Sequence, residues 1–82
     1  MDTFIRPAEM PSLIGLQRTA IHDSVRDETL TPPIQLSKRA VAFLSSEVAQ
    51  VMDARIAGAT PEQLRQLVRK LVAERASKMP KL

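Results

Sequence analysis

"GLQRTAIHDSVRDE", residues 15–28, is the stretch on which the fold turns. Glycine ends helices readily, because without a Cβ it takes up the left-handed conformation of a C-cap at little cost. Ahead of Gly15, Met10, Leu13 and Ile14 fall at i, i+3 and i+4, one apolar stripe of a helix opened by "PAE" at residues 7–9. Pro11 lies just past the positions whose amides lack helical partners, so the spacing predicts a short, late-starting helix. Beyond Gly15, the chain from Gln17 to about Glu28 reads as a second helix, with Ile21 and Val25 one turn apart on its inner side. The connection Gly15–Leu16–Gln17 is only about three residues long. Two short helices joined so tightly cross at a steep angle, with Leu16 in the corner, which is the helix-turn-helix arrangement.

Outward from that pair, "TLTPP" (29–33) cannot carry a helix through adjacent prolines and reads as a loop. "IQL" (34–36) and "AVAFL" (40–44) are short apolar or alternating runs around "SKR" (37–39). That pattern predicts a small β-hairpin with a basic tip, although helical spacing would also accommodate residues 40–44. Ser45 or Ser46 is placed to cap a third helix, with Glu47 in the first turn where the helix dipole favours an acid. Val48, Val51, Met52 and Ile56 give this helix its apolar face, and Gly58 stops it. "TPEQ" (60–63) opens a fourth helix, with Thr60 as N-cap, Pro61 at N1 and Gln63 completing a capping box. Leu64, Leu67, Val68, Leu71 and Val72 follow as one stripe, ahead of a polar "ASKMPKL" (76–82) expected to fray. The expected fold is mainly α with a small β-hairpin. It divides into a winged helix-turn-helix over residues 4–58 and an additional C-terminal helix with a basic tail over 59–82.

Composition narrows the function. A chain of 82 residues makes one small domain, whose core is thin and often helped by dimerisation. With no cysteine and a single histidine, thiol chemistry and the usual zinc and iron–sulfur sites are excluded, and no metal or cofactor is expected. No apolar run approaches the ~20 residues of a membrane span, and the N-terminus lacks a signal pattern, so a soluble cytoplasmic protein is expected. Catalysis is not expected either. Ser45 and Ser46 have no histidine nearby in sequence, Asp23, Asp27 and Glu28 come without a phosphate loop or metal spacing, and no small-molecule pocket is evident. Net charge is +3 and unevenly placed. Residues 60–82 carry six basic side chains against two acidic ones, while residues 1–59 carry six against seven. A charge run of this kind is most often a solvated face.

The segment 18–28 offers something sharper. At about 100° per residue, Ile21 and Val25 define the buried side, and Thr19, His22, Asp23 and Arg26 gather opposite, with Arg18 at the border. Such a face fits a DNA major groove, where arginine forks onto guanine O6 and N7 and a hydroxyl or imidazole reaches a phosphate or base edge. Lys38 and Arg39 at the hairpin tip would reach the adjacent backbone as a wing does. The plain alternatives are that Arg26 pairs with Asp23 or Asp27, that His22 is an ordinary surface residue, and that Lys38 and Arg39 are simply turn residues.

"FIRPAEMPSLIGLQRTAIH" followed by "PPIQLSKRAVAFLSSEVAQVMDARIAG" resembles the AlpA-type regulators of prophages and integrated elements, relatives of excisionases and of MerR-like winged helix-turn-helix proteins. The matching positions are Arg6 and Glu9, Gly15 to Arg18, Ile21 and His22, Pro33, Arg39 to Val48, and Arg55 to Ala57; the most specific run is Arg39–Val48. His22 stands in place of the family's usual tyrosine, Gln17 of its serine, Phe43 of its tryptophan, and Pro11 of an ordinary helical residue. The resemblance implies sequence-specific binding of double-stranded DNA, to regulate a promoter or to bend DNA for excision. It makes Gln17, Arg18, Thr19, His22 and Arg26 the recognition-helix contacts and Lys38 and Arg39 the wing.

For the last helix two readings stand. Its stripe of Leu64, Leu67, Val68, Leu71 and Val72 either completes the chain's own core or pairs two copies into a homodimer, which would set two recognition helices ~34 Å apart on a palindromic site. Arg65, Arg69 and Lys70 would then add DNA-backbone contacts or solvate the outer face. A third possibility leaves DNA aside and makes residues 64–72 the docking face of a helical protein–protein adaptor.

Overall fold

The computed structural model describes residues 3–78, a winged-helix-like fold followed by a C-terminal helix. In chain order the elements are strand β1 (Phe4–Ile5), a 3-10 turn (Pro7–Glu9), helix α1 (Met10–Ile14), helix α2 (Arg18–Arg26), strand β2 (Ile34–Ser37), strand β3 (Ala40–Leu44), helix α3 (Ser45–Ile56), helix α4 (Pro61–Glu74) and a closing 3-10 turn (Arg75–Lys78). Residues 79–82, part of the tail expected to fray, lie outside the described residues, whereas residues 76–78 are wound into the closing turn.

The helix-turn-helix forms as its punctuation dictates. Pro11 falls in the first turn of α1, where its missing amide costs no hydrogen bond, so the α-helix starts only at Met10. Gly15 ends it in the left-handed region at φ 71°, and its N–H donates to the Pro11 carbonyl at 3.0 Å. Gln17 then starts α2 with an extended backbone and no side-chain cap. That helix stops at Arg26, two residues before the predicted end. Glu28 turns into the left-handed region (φ 64°), and the N–H groups of Glu28 and Thr29 donate back to the carbonyls of Val25 and Ser24 at 3.2 and 2.9 Å. This double closure is a Schellman motif built on a residue other than glycine.

The hairpin forms as predicted, with 40–44 extended rather than helical, and it gains a third strand. The antiparallel order is β1-β3-β2, with Phe4 opposite Leu44 and Ile5 opposite Phe43, and an irregularity between Gln35 and Ser37 bends β2 near its tip. Strand β1 also explains why neither serine caps α3. The Ser45 hydroxyl instead accepts from the Thr3 N–H at 3.0 Å, while the Ser45 N–H donates to the Thr3 carbonyl at 2.9 Å, so the residue extends the β1–β3 pairing. Val48 and Val51 of α3 are buried and Met52 lies at the edge of the core, but Ile56, a turn further on, has passed beyond it and is 84% exposed. The capping box of α4 is complete: Thr60 Oγ1 accepts from the Gln63 N–H at 3.2 Å, and Gln63 Oε1 accepts from the Thr60 N–H at 2.8 Å.

One core joins these elements. Met10, Ile21, Leu30, Phe43, Val48 and Val51 meet Leu64, Val68 and Leu71 of α4, with Leu16 and Val25 packed at its margin. Leu64, Val68 and Leu71 are thus packed into the chain's own core. Of the predicted stripe only Leu67 and Val72 retain exposure.

A Cβ built at Gly15 meets nothing within 4 Å, so substitution there costs backbone strain alone. Gly15→Ala is expected to lower the unfolding free energy in urea by about 1 kcal/mol, and Gly15→Asn, which tolerates the left-handed region, by less. A loss of several kcal/mol would show that the turn is sterically crowded after all.

Candidate nucleic-acid interface

Helix α2 hides Ile21 and turns its other side outward. Gln17, Arg18, Thr19, His22 and Arg26 are all exposed, and Asp23 is half-buried among them. The exposure of these residues leaves the face open, and Arg65 and Arg69 of α4 reach Asp27 and Glu28 just past the end of α2. Arg26 Nη2 donates to Asp23 Oδ1 at 3.2 Å, the pairing weighed from the sequence, with the arginine side chain still 69% exposed. Exposed pairs of this kind contribute under about 1 kcal/mol, so Asp23 orients the guanidinium without tying it down. Arg18, Lys38 and Arg39 make no hydrogen bond or ion pair among the described residues.

The structure gathers these predicted residues into two groups. Arg18 and His22 border a groove of about 340 Å³ between α2 and the sheet, floored by Pro7, Ile21, Val25, Pro33 and Phe43. Lys38 and Arg39 form the exposed turn between β2 and β3. From Pro33 at the groove to that tip the strand runs roughly 15 Å at about 3.3 Å per residue, so helix and tip present separate basic points on one frame.

Three arginines of the C-terminal segment, Arg65 and Arg69 on α4 and Arg75 just past it, bond within the chain. Arg65 Nε donates to the Asp27 carbonyl at 3.0 Å, with Glu62 3.7 Å from its Nη1. Arg69 forks onto Glu28 through Nε and Nη2 at 3.2 and 3.4 Å. Arg75 reaches Glu47, whose side chain is 1% exposed, through Nε at 2.8 Å and Nη2 at 2.6 Å, and the same Nη2 donates to the Pro32 carbonyl at 2.6 Å. Neither Arg65 nor Arg69 is directed at an outside anion. Both close the C-terminal end of α2, where cations are electrostatically favoured. No pattern in the sequence marked these contacts: Asp27 accepts through its backbone carbonyl, and Glu28 and Glu47 lie 41 and 28 residues from their arginines. The hydrogen bond from Arg69, followed by its charge, holds the Glu28 carboxyl below the usual carboxylate range, and Glu28 in turn raises Arg69. Among the described residues no group of histidine, cysteine or carboxylate side chains is disposed to hold a metal ion, and no helix is long and apolar enough to cross a membrane.

A basic, outward-facing second helix behind a tight glycine turn, with a basic hairpin tip beside it, defines a winged helix-turn-helix protein. Comparison with protein families is specific: the chain belongs to the family described as prophage CP4-57 regulatory protein (AlpA), whose model matches residues 3–56. It is also similar to the uncharacterized protein ORF88 of Enterobacteria phage P4, with 39% identity over 57 residues, 70% of this chain and 65% of that protein. The chain thus spans just under two thirds of the length of this relative. No solved structure matches it. The family match ends with the last residue of α3, so α4 and its arginines lie beyond it.

Because the Glu28 carboxyl is depressed in the folded chain, the stability its pair contributes is fully present above the ordinary carboxylate value and is lost as pH falls through the lowered one. The melting-temperature difference between the parent protein and Glu28→Gln should therefore be present near about pH 7 and shrink as pH falls below the ordinary carboxylate range. A difference independent of pH would contradict this role.

Proposed function

We propose that this member of a phage regulatory family is a sequence-specific binder of double-stranded DNA that lays α2 in the major groove and sets the β2–β3 tip on the neighbouring backbone. The observation that carries the reading is the asymmetry of positive charge. Arg65 and Arg75 are bound within the chain and Arg69 lies along an exposed pair with Glu28. Among the described residues Arg18, Lys38 and Arg39 have no side-chain partner and gather with Arg26 on the α2 face and the hairpin tip; Arg6, Arg55 and Lys70 are likewise unpartnered elsewhere on the surface. Arg18 and Arg26 are the candidates for guanine or phosphate contacts, Thr19 and His22 for a phosphate or base edge, and Gln17 for the first contact at the helix start. Lys38 and Arg39 add phosphate contacts that position the helix without reading sequence. Asp23 accepts from a cytosine N4 or keeps Arg26 aimed. Pairing of two copies through the α4 stripe is not part of this proposal, given the burial of Leu64, Val68 and Leu71.

The test is binding of duplex DNA flanking the protein's own gene, followed by fluorescence anisotropy. Arg18→Ala or Arg26→Ala should weaken binding by about 1–3 kcal/mol, roughly 5- to 150-fold, wherever the arginine reads a base. With about four phosphate-neutralising side chains, affinity should also fall on the order of 100-fold between about 50 and about 200 mM salt. Affinity indifferent to both changes would remove DNA as the partner.

A further inference from the structure

The connection from α2 to the wing, residues 27–33, is held at both ends by side chains from the segment that follows the family match. Arg65 holds the Asp27 carbonyl and Arg69 the Glu28 carboxylate at the near end. At the far end Arg75 grips the Pro32 carbonyl, and its guanidinium is fixed by both oxygens of the buried Glu47 at the start of α3. Between these anchors Leu30 and Thr31 are buried, and Pro32 and Pro33 have no N–H with which to join a backbone ladder. The Arg75 bond to Pro32 therefore serves at the base of the wing where backbone donors are missing. The leverage is large. With the tip roughly 15 Å from that base, a tilt of about 10° moves Lys38 and Arg39 by about 3 Å, the length of a hydrogen bond.

We propose that Arg75 is a positioning residue for DNA binding: anchored on Glu47, it fixes the base of the wing relative to α2, so that tip and recognition helix engage one duplex together. The proposal rests on the DNA-binding reading above and concerns residues that touch no DNA. Lysine cannot replace arginine here, because a single ammonium lacks the planar fork that serves a carboxylate and a carbonyl at once, although it does keep the buried charge of Glu47 compensated.

The experiment is a double-mutant cycle on duplex affinity, using the full chain. In the parent protein, replacing both tip residues (Lys38→Ala with Arg39→Ala) should weaken binding about 10-fold. In an Arg75→Lys background the same replacement should cost less than about 2-fold, because the tip is no longer held where it contacts the backbone. A purely structural role would lower the melting temperature yet leave the tip's contribution intact, so equal losses in both backgrounds overturn the proposal. Should Arg75→Lys fail to fold, Glu47→Leu with Arg75→Met replaces the ion pair by apolar bulk and removes the Pro32 anchor, and the same loss of coupling is expected. A tip replacement without effect in the parent overturns it as well. DNA binding lost with Arg18→Ala but additive in the cycle rejects the Arg75 role alone, whereas a parent protein that binds no duplex rejects the DNA reading with it.

Discussion

Glu47 places a carboxylate inside a chain that has little interior to spare, and most of the architecture follows from the need to neutralise it. Leaving a buried charge without its partner costs about 3–5 kcal/mol, against roughly 4–12 kcal/mol for the whole stability of a domain this size. The partner is Arg75, just past the end of α4. To deliver that guanidinium, α4 must lie across the molecule, and in doing so it adds Leu64, Val68 and Leu71 to a core that the other helices and the sheet leave open. The ion pair and the apolar stripe therefore require the same placement of one helix.

That placement sorts the positive charge. In the sequence, Arg65, Arg69 and Lys70 read either as additional DNA-backbone contacts or as a solvated outer face. In the fold, Arg65, Arg69 and Arg75 run along one flank and close onto Asp27, Glu28, Pro32 and Glu47, which terminates α2 and ties down the loop after it. The α2 face and the hairpin tip stay outward, as do Arg6, Arg55 and Lys70 elsewhere on the surface. With α4 bound behind it, the helix-turn-helix keeps the outer face of α2 turned to solvent.

The legible parts of the sequence were those written in local chemistry. Gly15 with a short linker, the proline of the first turn, and the capping box at Thr60 and Gln63 each act within a few residues, and each appears in the structure as read. The illegible parts are those in which a distant residue competes for a local group. Ser45 was free to cap a helix until the Thr3 amide claimed its hydroxyl, and a strand of two residues such as Phe4–Ile5 is too short to show alternation. Glu47 satisfied a first-turn rule while its decisive contact lay 28 residues away, and Glu28 gave no sign of a left-handed backbone or of a partner 41 residues on. Ile56 kept the helical period after the core had ended, since periodicity records orientation and not reach. The outward face of α2 was predictable because Ile21 and Val25 fix the inner side and leave Arg18, Thr19, His22 and Arg26 only one way to point.

The central claim is that nucleic acid meets the α2 face and the hairpin tip while α4 stands behind them. Amide chemical-shift mapping of the isotope-labelled protein, titrated with a short duplex at low salt, addresses it directly. The account predicts the largest shifts along residues 17–26 and at Lys38 and Arg39, with Gln66 and Lys70 on the outer side of α4 unmoved. Shifts concentrated on Gln66 and Lys70, with the α2 face silent, would contradict it.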